Sequence, residues 1–453
     1  MAKELFGTDG IRGIPGEYPL DDATLDRVGL ALGNYLRSEK PEHAESPSVL
    51  IGRDTRESGP HIAERIAAGL VAGGANPVSA GVLATPGVAW LVKREGFAAG
   101  VVISASHNPY HDNGVKLISS TGMKFPDAIE MALEKSVLSS NGTVPAAKAL
   151  RLHDNEKIDD DYLAGLATAI LPGAKIAGMK IVLDCANGAA SDLAPRLFRS
   201  LGADVIAMNH TPDGKNINAN SGSLHPAAMQ ERVVECDASL GVAFDGDADR
   251  AIFSSATGRL VDGDGVLFVV ARYLKSSGKL KGNVVVGTTM ANLGLERALD
   301  NSGLKLARTA VGDRYVLEEM QHIGANFGGE QSGHVLFLDD ATTGDGMLTA
   351  LKLASIISIA GPLDSLVADL KIYPQKIVNV RVRSKPPLDS LPEVARVLHE
   401  AETVLGNSGR VVLRYSGTEP LARVMVEAER DEDVRRWTEL LATALRTIIG
   451  AQA

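Results

Sequence analysis

Three aspartates occupy alternate positions in Asp245-Gly246-Asp247-Ala248-Asp249-Arg250, directly after the apolar run Leu240–Phe244. Carboxylates this close repel one another, so gathering them is costly unless a cation or positive side chains neutralise them. A turning backbone at this point aims several hard oxygens at one ion, and magnesium suits that donor set best. A calcium loop of the EF-hand type is a rival, but Arg250 and the following Ala251-Ile252-Phe253 lack the glycine and distal glutamate it needs. A solvated acidic turn is the plainer alternative, and the repulsion argues against it.

A second polar segment, Ser104-Ala105-Ser106-His107-Asn108-Pro109, brings hydroxyls, an imidazole and an amide together, with Lys116 shortly after Asn113-Gly114. A serine hydroxyl is a weak nucleophile until a base, a metal or prior phosphorylation makes it useful. Alone, Ser-His neighbours read as turn polarity; beside the carboxylate triad they read as the nucleophile of a phosphoryl transfer. Arg414-Tyr415-Ser416-Gly417-Thr418-Glu419-Pro420, with Arg423 beyond it, combines guanidinium, hydroxyls and a glycine-permitted turn, the equipment for gripping a phosphate. Its ordinary alternative is a strand-to-strand turn. Glu330-Gln331-Ser332-Gly333-His334 offers a carboxylate and a hydroxyl that suit the hydroxyls of a sugar. Neither a GxxxxGK[ST] segment nor a helix-opening GxGxxG is present, which disfavours nucleotide-dependent kinase chemistry. The transferable phosphoryl group must come from elsewhere, and a phosphorylated serine is a sufficient source.

The elements that would position these loops recur. A β-branched run, a Gly- or Asn-bearing loop and a helical pattern appear at Val49–Gly59, Ile181–Leu193 and Val284–Leu295. Gly-led second strands follow at Gly74–Ala80, Gly202–Met208 and Gly303–Ala310. Third apolar runs, Gly100–Ser104, Leu240–Phe244 and Ile323–Phe327, each lead into one of the polar loops. This alternation predicts three similar α/β units with mixed or mostly parallel sheets, whose functional loops lie beyond the carboxyl ends of strands. The remainder reads as a smaller α+β unit: strands at Ile377–Val382, Val411–Tyr415 and Arg423–Glu427, and helices at Leu391–Leu405 and Asp433–Ile449. Expected domains are residues 1–155, 156–257, 258–370 and 371–453, around a central cleft.

Composition narrows the class. With 453 residues, several packed units are expected, and 45% hydrophobic with 23% charged residues is ordinary for a folded globular chain. The net charge of -10 disfavours nonspecific binding to nucleic acid, so an anionic ligand must be held by local groups. Met1–Gly13 has no apolar signal core and no run is long enough to span a bilayer, so a cytoplasmic chain without membrane association is expected. Cys185 and Cys236 form no Cys-x-x-Cys pair and suggest neither a disulfide framework nor a zinc site.

The four loops together resemble the α-D-phosphohexomutase superfamily, whose patterns are a Ser-His-Asn-Pro phosphoserine loop, DGD-x-DR, GE-x-SGH and R-x-SGTEP. All four occur here in family order, and the resemblance runs from Phe6-Gly7-Thr8-Asp9-Gly10-Ile11-Arg12-Gly13 to Arg423. Phe6–Gly13, Ser104 in the serine loop and Val311–Val316 look like the branch that works on glucosamine phosphates. The resemblance implies that Ser106 is the phosphoserine, its phosphate joining Asp245, Asp247 and Asp249 around Mg2+. It assigns Glu330 and Ser332 to the sugar, and Arg414, Ser416, Gly417, Thr418 and Arg423 to the nonreacting phosphate. Arg12, His107, Lys116, Arg250 and His334 match positive or proton-transferring positions, with Lys116 and His107 both open as the group that moves the hydroxyl proton. Glucosamine 1,6-bisphosphate is the implied intermediate and activator and a homodimer the implied assembly; the need for that intermediate to turn end for end predicts a mobile last domain as a gate. Ala248 in place of a frequent glycine and Tyr415 in place of a common lysine are departures, and the second puts phosphate affinity in question. A sister mutase for mannose or glucose phosphates, a magnesium-dependent phosphatase and a noncatalytic sugar-phosphate binder remain as rivals.

Overall fold

The computed structural model describes residues 4–7, 10–39, 46–139, 151–155, 157–416 and 420–451. Its first sheet contains β1 (Ile11–Gly13), β2 (Ser48–Arg53), β3 (Asn76–Val82), β4 (Ala99–Ile103) and β5 (Asn113–Ser119), in the order β1-β5-β4-β2-β3. β2 is parallel to both β3 and β4, whereas β4–β5 and β5–β1 are antiparallel. The second sheet repeats this plan with β6 (Lys180–Asp184), β7 (Asp204–Met208), β8 (Leu240–Phe244), β9 (Ala251–Ser255) and β10 (Leu260–Val261), ordered β10-β9-β8-β6-β7. β6 is parallel to β7 and β8, and β8 turns back antiparallel into β9. In the third unit come β11 (Val284–Thr288), β12 (Lys305–Thr309), β13 (Phe327–Gly329) and β14 (Val335–Phe337). There β11 is parallel to β13, and β13 is antiparallel to β14.

The repeat has a physical reading. β4 and β8 are buried along their whole length, which is why they appear in the sequence as unbroken apolar runs. The polar loops after β4, β8 and β13 are too short for a parallel crossover, which needs a dozen or more residues, so each returns as an antiparallel partner. All three chemically distinctive loops are therefore hairpin turns at the carboxyl end of a parallel-paired strand. The sheets are accordingly mixed. The third apolar run differs from its expected limits: Ile323 closes the helix Asp313–Ile323, Gly324 caps it at a φ of +71°, and the strand begins at Phe327. A left-handed glycine ends the helix where an apolar count alone continues.

Contacts divide the chain into Met1–Val286 with Gly312–Val367, and Gly287–Val311 with Ala368–Ala453. The latter holds the sheet β15-β17-β16, formed by β15 (Gln375–Arg381), β16 (Gly409–Tyr415) and β17 (Leu421–Ala428), all antiparallel. Helices Pro392–Leu405 and Asp431–Ile449 share a core with this sheet, built from Val394, Val424, Val426, Trp437 and Leu441. The fully buried Glu427 carboxylate accepts from Arg410 Nε at 2.6 Å, and the same guanidinium donates to the carbonyls of Thr289 and Ala291 at 2.9 and 2.6 Å. Asn292 Nδ2 donates to the Tyr373 carbonyl at 3.0 Å. No helix of the described residues is long and apolar enough to cross a membrane.

Helices Asp22–Glu39 and Gly59–Ala72 cross at backbone distance. A Cβ on Gly69 would stand 2.1 Å from the Asp26 carbonyl oxygen, and one on Gly29 2.1 Å from that of Ile66. Neither neighbour is a side chain that can swing aside. Gly69→Ala is therefore expected to destabilise the chain by about 1–3 kcal/mol, the usual cost of overpacking, read from chemical denaturation against wild type.

Candidate active site

Ser106 sits just beyond β4 with a φ of +51°, in the left-handed region that non-glycine residues seldom occupy. Its position is fixed from several sides. The Ser106 N–H donates to Ser104 Oγ at 2.9 Å, and Ser104 Oγ donates to Asp54 Oδ2 at 2.5 Å. Asp54 is ion-paired with Arg56 Nε at 2.9 Å, both side chains being fully buried. The Arg56 guanidinium then donates to the carbonyls of Ser106 at 3.0 Å, Asn108 at 2.8 Å and Asp112 at 3.0 Å, and also to that of Pro109. A planar fork of five donors suits this task in a way that a lysine ammonium does not.

The Ser106 hydroxyl donates to Asp245 Oδ2 at 2.6 Å, and His107 Nδ1 lies 3.2 Å from Ser106 Oγ. Arg250 Nη1 donates to His107 Nδ1 at 3.3 Å, so that nitrogen is unprotonated. Burial, then the charges of Arg250 and Arg12, lowers the imidazole's pKa. Arg12 is on β1, paired with Gly114 of β5. From β5 the buried Lys116 brings its ammonium 3.1 Å from Asp247 Oδ2 and 3.8 Å from Asp249 Oδ2. Thr85 Oγ1 donates to Asp247 Oδ2 at 2.6 Å.

Asp245, Asp247 and Asp249 are all buried, and one oxygen from each lies within 4.8 Å of the others. Burial and the charges of Asp249 and Asp247 raise Asp245 well above the ordinary carboxylate range. Among the described residues, Asp247 Oδ1 and Asp249 Oδ1 are buried oxygens with no hydrogen-bond partner. Hard, convergent oxygens left unsatisfied in this way fit a divalent metal ion.

The loop after β13 closes against this triad. His334 Nδ1 stands 3.6 Å from Asp249 Oδ2, while its Nε2 accepts the Gly344 N–H at 3.2 Å. Burial lowers the pKa of this imidazole, but its interaction with Asp249 outweighs burial and raises it to about 9, while the Gly344 N–H facing Nε2 opposes a proton on that nitrogen. Glu330 Oε1 accepts from the Gly312 N–H at 3.1 Å, and Ser332 is exposed at the turn. Elsewhere, Arg414 of β16 lies directly opposite Arg423 of β17. Like charges in that register oppose pairing unless an anion joins them; burial and Arg423 both lower the Arg414 pKa. The Ser416 carbonyl accepts from Lys385 Nζ at 2.6 Å. Gly417 and Thr418 lie outside the described residues.

Serine, triad, lysine and both histidines thus meet within the first unit. Arg56, Asp54 and Thr85 were absent from the sequence-based set. The signal for the first two was available: Asp54-Thr55-Arg56 follows β2 at the same carboxyl edge that carries the other loops.

Models of all four domains of one enzyme family match this chain. They are phosphoglucomutase/phosphomannomutase α/β/α domain I over residues 3–142, domain II over 160–258, domain III over 262–373, and the C-terminal domain over 377–444. The chain belongs to this family. A curated relative, the phosphoglucosamine mutase of Solibacter usitatus, is 52% identical over 99% of this chain and 100% of its own length. Among solved structures, a phosphoglucomutase/phosphomannomutase family protein from Burkholderia thailandensis superposes with a TM-score of 0.79 at 23% identity, covering 98% of this chain and 97% of that one. The Aspergillus fumigatus N-acetylphosphoglucosamine mutase, solved with GlcNAc-6P and magnesium, superposes at 0.63 with 18% identity, over 98% and 96% of the two chains. These two share the family fold.

Two predictions test the electrostatics. Asp245→Asn keeps shape while relieving repulsion, so the metal-free variant is expected to melt no lower than wild type and to bind Mg2+ at least ~10-fold more weakly by calorimetry. Asp345 caps the helix Gly346–Ala360, whose Gly346 N–H donates to the Ala248 carbonyl at 3.0 Å. Its carboxylate accepts from the Leu348 N–H at 2.9 Å and from the Tyr162 hydroxyl at 2.7 Å. Burial raises its pKa to about 6 although both hydrogen bonds pull it down. A carboxyl easier to protonate when folded contributes stability that is fully present below about pH 4 and lost as pH rises through about 6. A rise of that size corresponds to about 3 kcal/mol. Asp345→Asn should flatten this dependence and be the more stable protein at neutral pH, as measured by denaturation at about pH 4.5 and about pH 8.

Proposed function

We propose that the chain is a phosphoglucosamine mutase, interconverting glucosamine 6-phosphate and glucosamine 1-phosphate through phosphoserine 106 and a 1,6-bisphosphate. The observation that carries this reading is the hydrogen bond from Ser106 Oγ to Asp245 within a buried three-aspartate cluster, in a chain that is 52% identical to a phosphoglucosamine mutase over its full length.

In the forward direction the bond between phosphorus and Ser106 Oγ breaks as one forms to the C1 hydroxyl oxygen of the sugar. The hydroxyl proton passes either to Lys116, in the neutral amine form that such a role requires, or to the unprotonated Nδ1 of His107, and the serine oxygen departs towards the positive charges of its surroundings. The bisphosphate then turns end for end, its C6 phosphoryl returns to Ser106 Oγ, and glucosamine 1-phosphate leaves. Asp245, Asp247 and Asp249, with an oxygen of the Ser106 phosphate, would hold Mg2+, which when bound supplies positive charge to the oxygens of the transferring group. Arg12 and Arg250 add fixed positive charge where negative charge spreads, the preorganised stabilisation such transfers depend on. His334 orients Asp249. Glu330 and Ser332 receive the sugar hydroxyls, and Arg414, Ser416, Gly417, Thr418 and Arg423 hold the phosphate that is not reacting. The four segments 1–155, 156–257, 258–370 and 371–453, a homodimer and a cytoplasmic location belong to the same proposal.

The test is intact-mass analysis of purified protein, followed by a coupled assay with Mg2+ and a trace of bisphosphate on glucosamine, mannose and glucose 6-phosphates. Wild type is expected to carry one added phosphate mapping to Ser106 and to turn over glucosamine 6-phosphate fastest. Ser106→Ala should lose both the phosphate and at least ~10³-fold of turnover. Undiminished isomerisation by that variant would overturn Ser106 as the carrier. Faster turnover of another hexose phosphate would move the chain to a sister activity.

A further inference from the structure

The carbonyl side of the serine loop is gripped twice. Besides Arg56, which comes from the same sheet as Ser106, the side chain of Asn218 reaches it from the second α/β unit. Asn218 Nδ2 donates to the carbonyl of Ser106 at 2.8 Å and to that of Asn108 at 3.0 Å, the same two oxygens that Arg56 Nη2 bonds. Each carbonyl has two lone pairs, and these two donors occupy both. The Asn218 backbone is itself anchored, its N–H donating to the Ala186 carbonyl at 2.9 Å, and its φ is +58°.

Gly246, between the first two aspartates of the metal loop, packs into this junction. A Cβ there would stand 2.5 Å from the Ser106 carbonyl oxygen and 2.8 Å from Asn218 Nδ2. The Gly246 carbonyl in turn accepts the Ala189 N–H at 2.8 Å. One carboxamide therefore lies where the serine loop, the aspartate loop and its own turn converge.

We propose that Asn218 is a positioning residue that sets the register of Ser106 against Asp245, tying the nucleophile's loop to the unit that carries the metal ligands. The inference rests on Ser106 as the phosphoryl carrier. Arg56 fixes the loop's main chain to its own sheet but cannot hold it to the second; Asn218 supplies that main-chain link, beside the hydroxyl bond from Ser106 to Asp245. Its donors are directed at main-chain oxygens, not at the sugar. Its loss should therefore displace the reacting oxygen without weakening capture of the substrate.

The experiment uses the full chain with two substitutions. Asn218→Gly removes the carboxamide while accommodating the left-handed backbone; Asn218→Asp keeps its shape but turns a donor towards two carbonyls into an acceptor. Measured quantities are kcat and KM for glucosamine 6-phosphate, the rate at which Ser106 gains phosphate from glucosamine 1,6-bisphosphate by intact mass, and the thermal midpoint. Both variants are expected to lose on the order of 10- to 100-fold in kcat and in the rate of serine phosphorylation, the scale of a misplacement near 1 Å, with KM within about twofold of wild type. A folded variant with wild-type kcat, or a loss that matches only a smaller folded fraction, would overturn the proposal. Ser106→Ala run alongside separates the two levels: if it stays active, the carrier assignment fails and this inference with it. If it is inactive while both Asn218 variants match wild type, only the positioning role fails.

Discussion

Mutual repulsion among three buried carboxylates is the constraint around which the first unit is organised. Asp245, Asp247 and Asp249 gain little from one another, and water is largely excluded from them. What surrounds them supplies the compensation in different forms. Lys116 supplies a buried cation, Thr85 and Ser106 donate hydroxyls, and His334 faces Asp249 with a ring nitrogen whose orientation is fixed from behind by Gly344. Two oxygens are nonetheless left over, and they are a demand that further positive charge would meet. The same demand explains why the site draws on three α/β units at once: no single hairpin turn carries enough donors.

The second unit shows a milder form of the same problem with the opposite sign. Arg414 and Arg423 face each other across β16 and β17, a register that isolated strands would avoid. Here the sheet is kept in place by its apolar core, including Trp437 and Leu441, so the two guanidinium groups can remain adjacent. Charge is concentrated where an apolar core supplies the stability.

Much of this was legible in the sequence because the informative residues are local. The triad, the serine loop and the arginine-bearing turn each sit within a few positions of an apolar strand, so residue type and spacing exposed both the chemistry and the repeating α/β plan. Arg56 and Asn218 were not legible in that way. Their partners are main-chain carbonyls 50 to 56 and 110 to 112 residues away, and a carbonyl leaves no trace in residue type. The glycine crossing of the first two helices is similar, since Gly29 and Gly69 look like weak helix formers until their closeness to opposing backbone is known. The misplaced limit at Ile323 has a more local cause. An apolar residue in the last turn of a helix and one at the start of a strand look alike, and the left-handed Gly324 decides between them.

The unit containing β15, β16 and β17 is not continuous in the chain. Gly287–Val311 belongs with it, although residues 312–367 intervene. The carbonyls of Thr289 and Ala291 are bonded by Arg410, and Asn292 is engaged with Tyr373. The order in which a ribosome releases these segments therefore matters. Gly287–Val311 emerges well before the residues that satisfy its polar groups, and it must wait, exposed, until the final strands arrive. Completion of this unit waits on the synthesis of residues 368–453, and a nascent chain halted near residue 370 would carry an unfinished surface of the kind that chaperones bind.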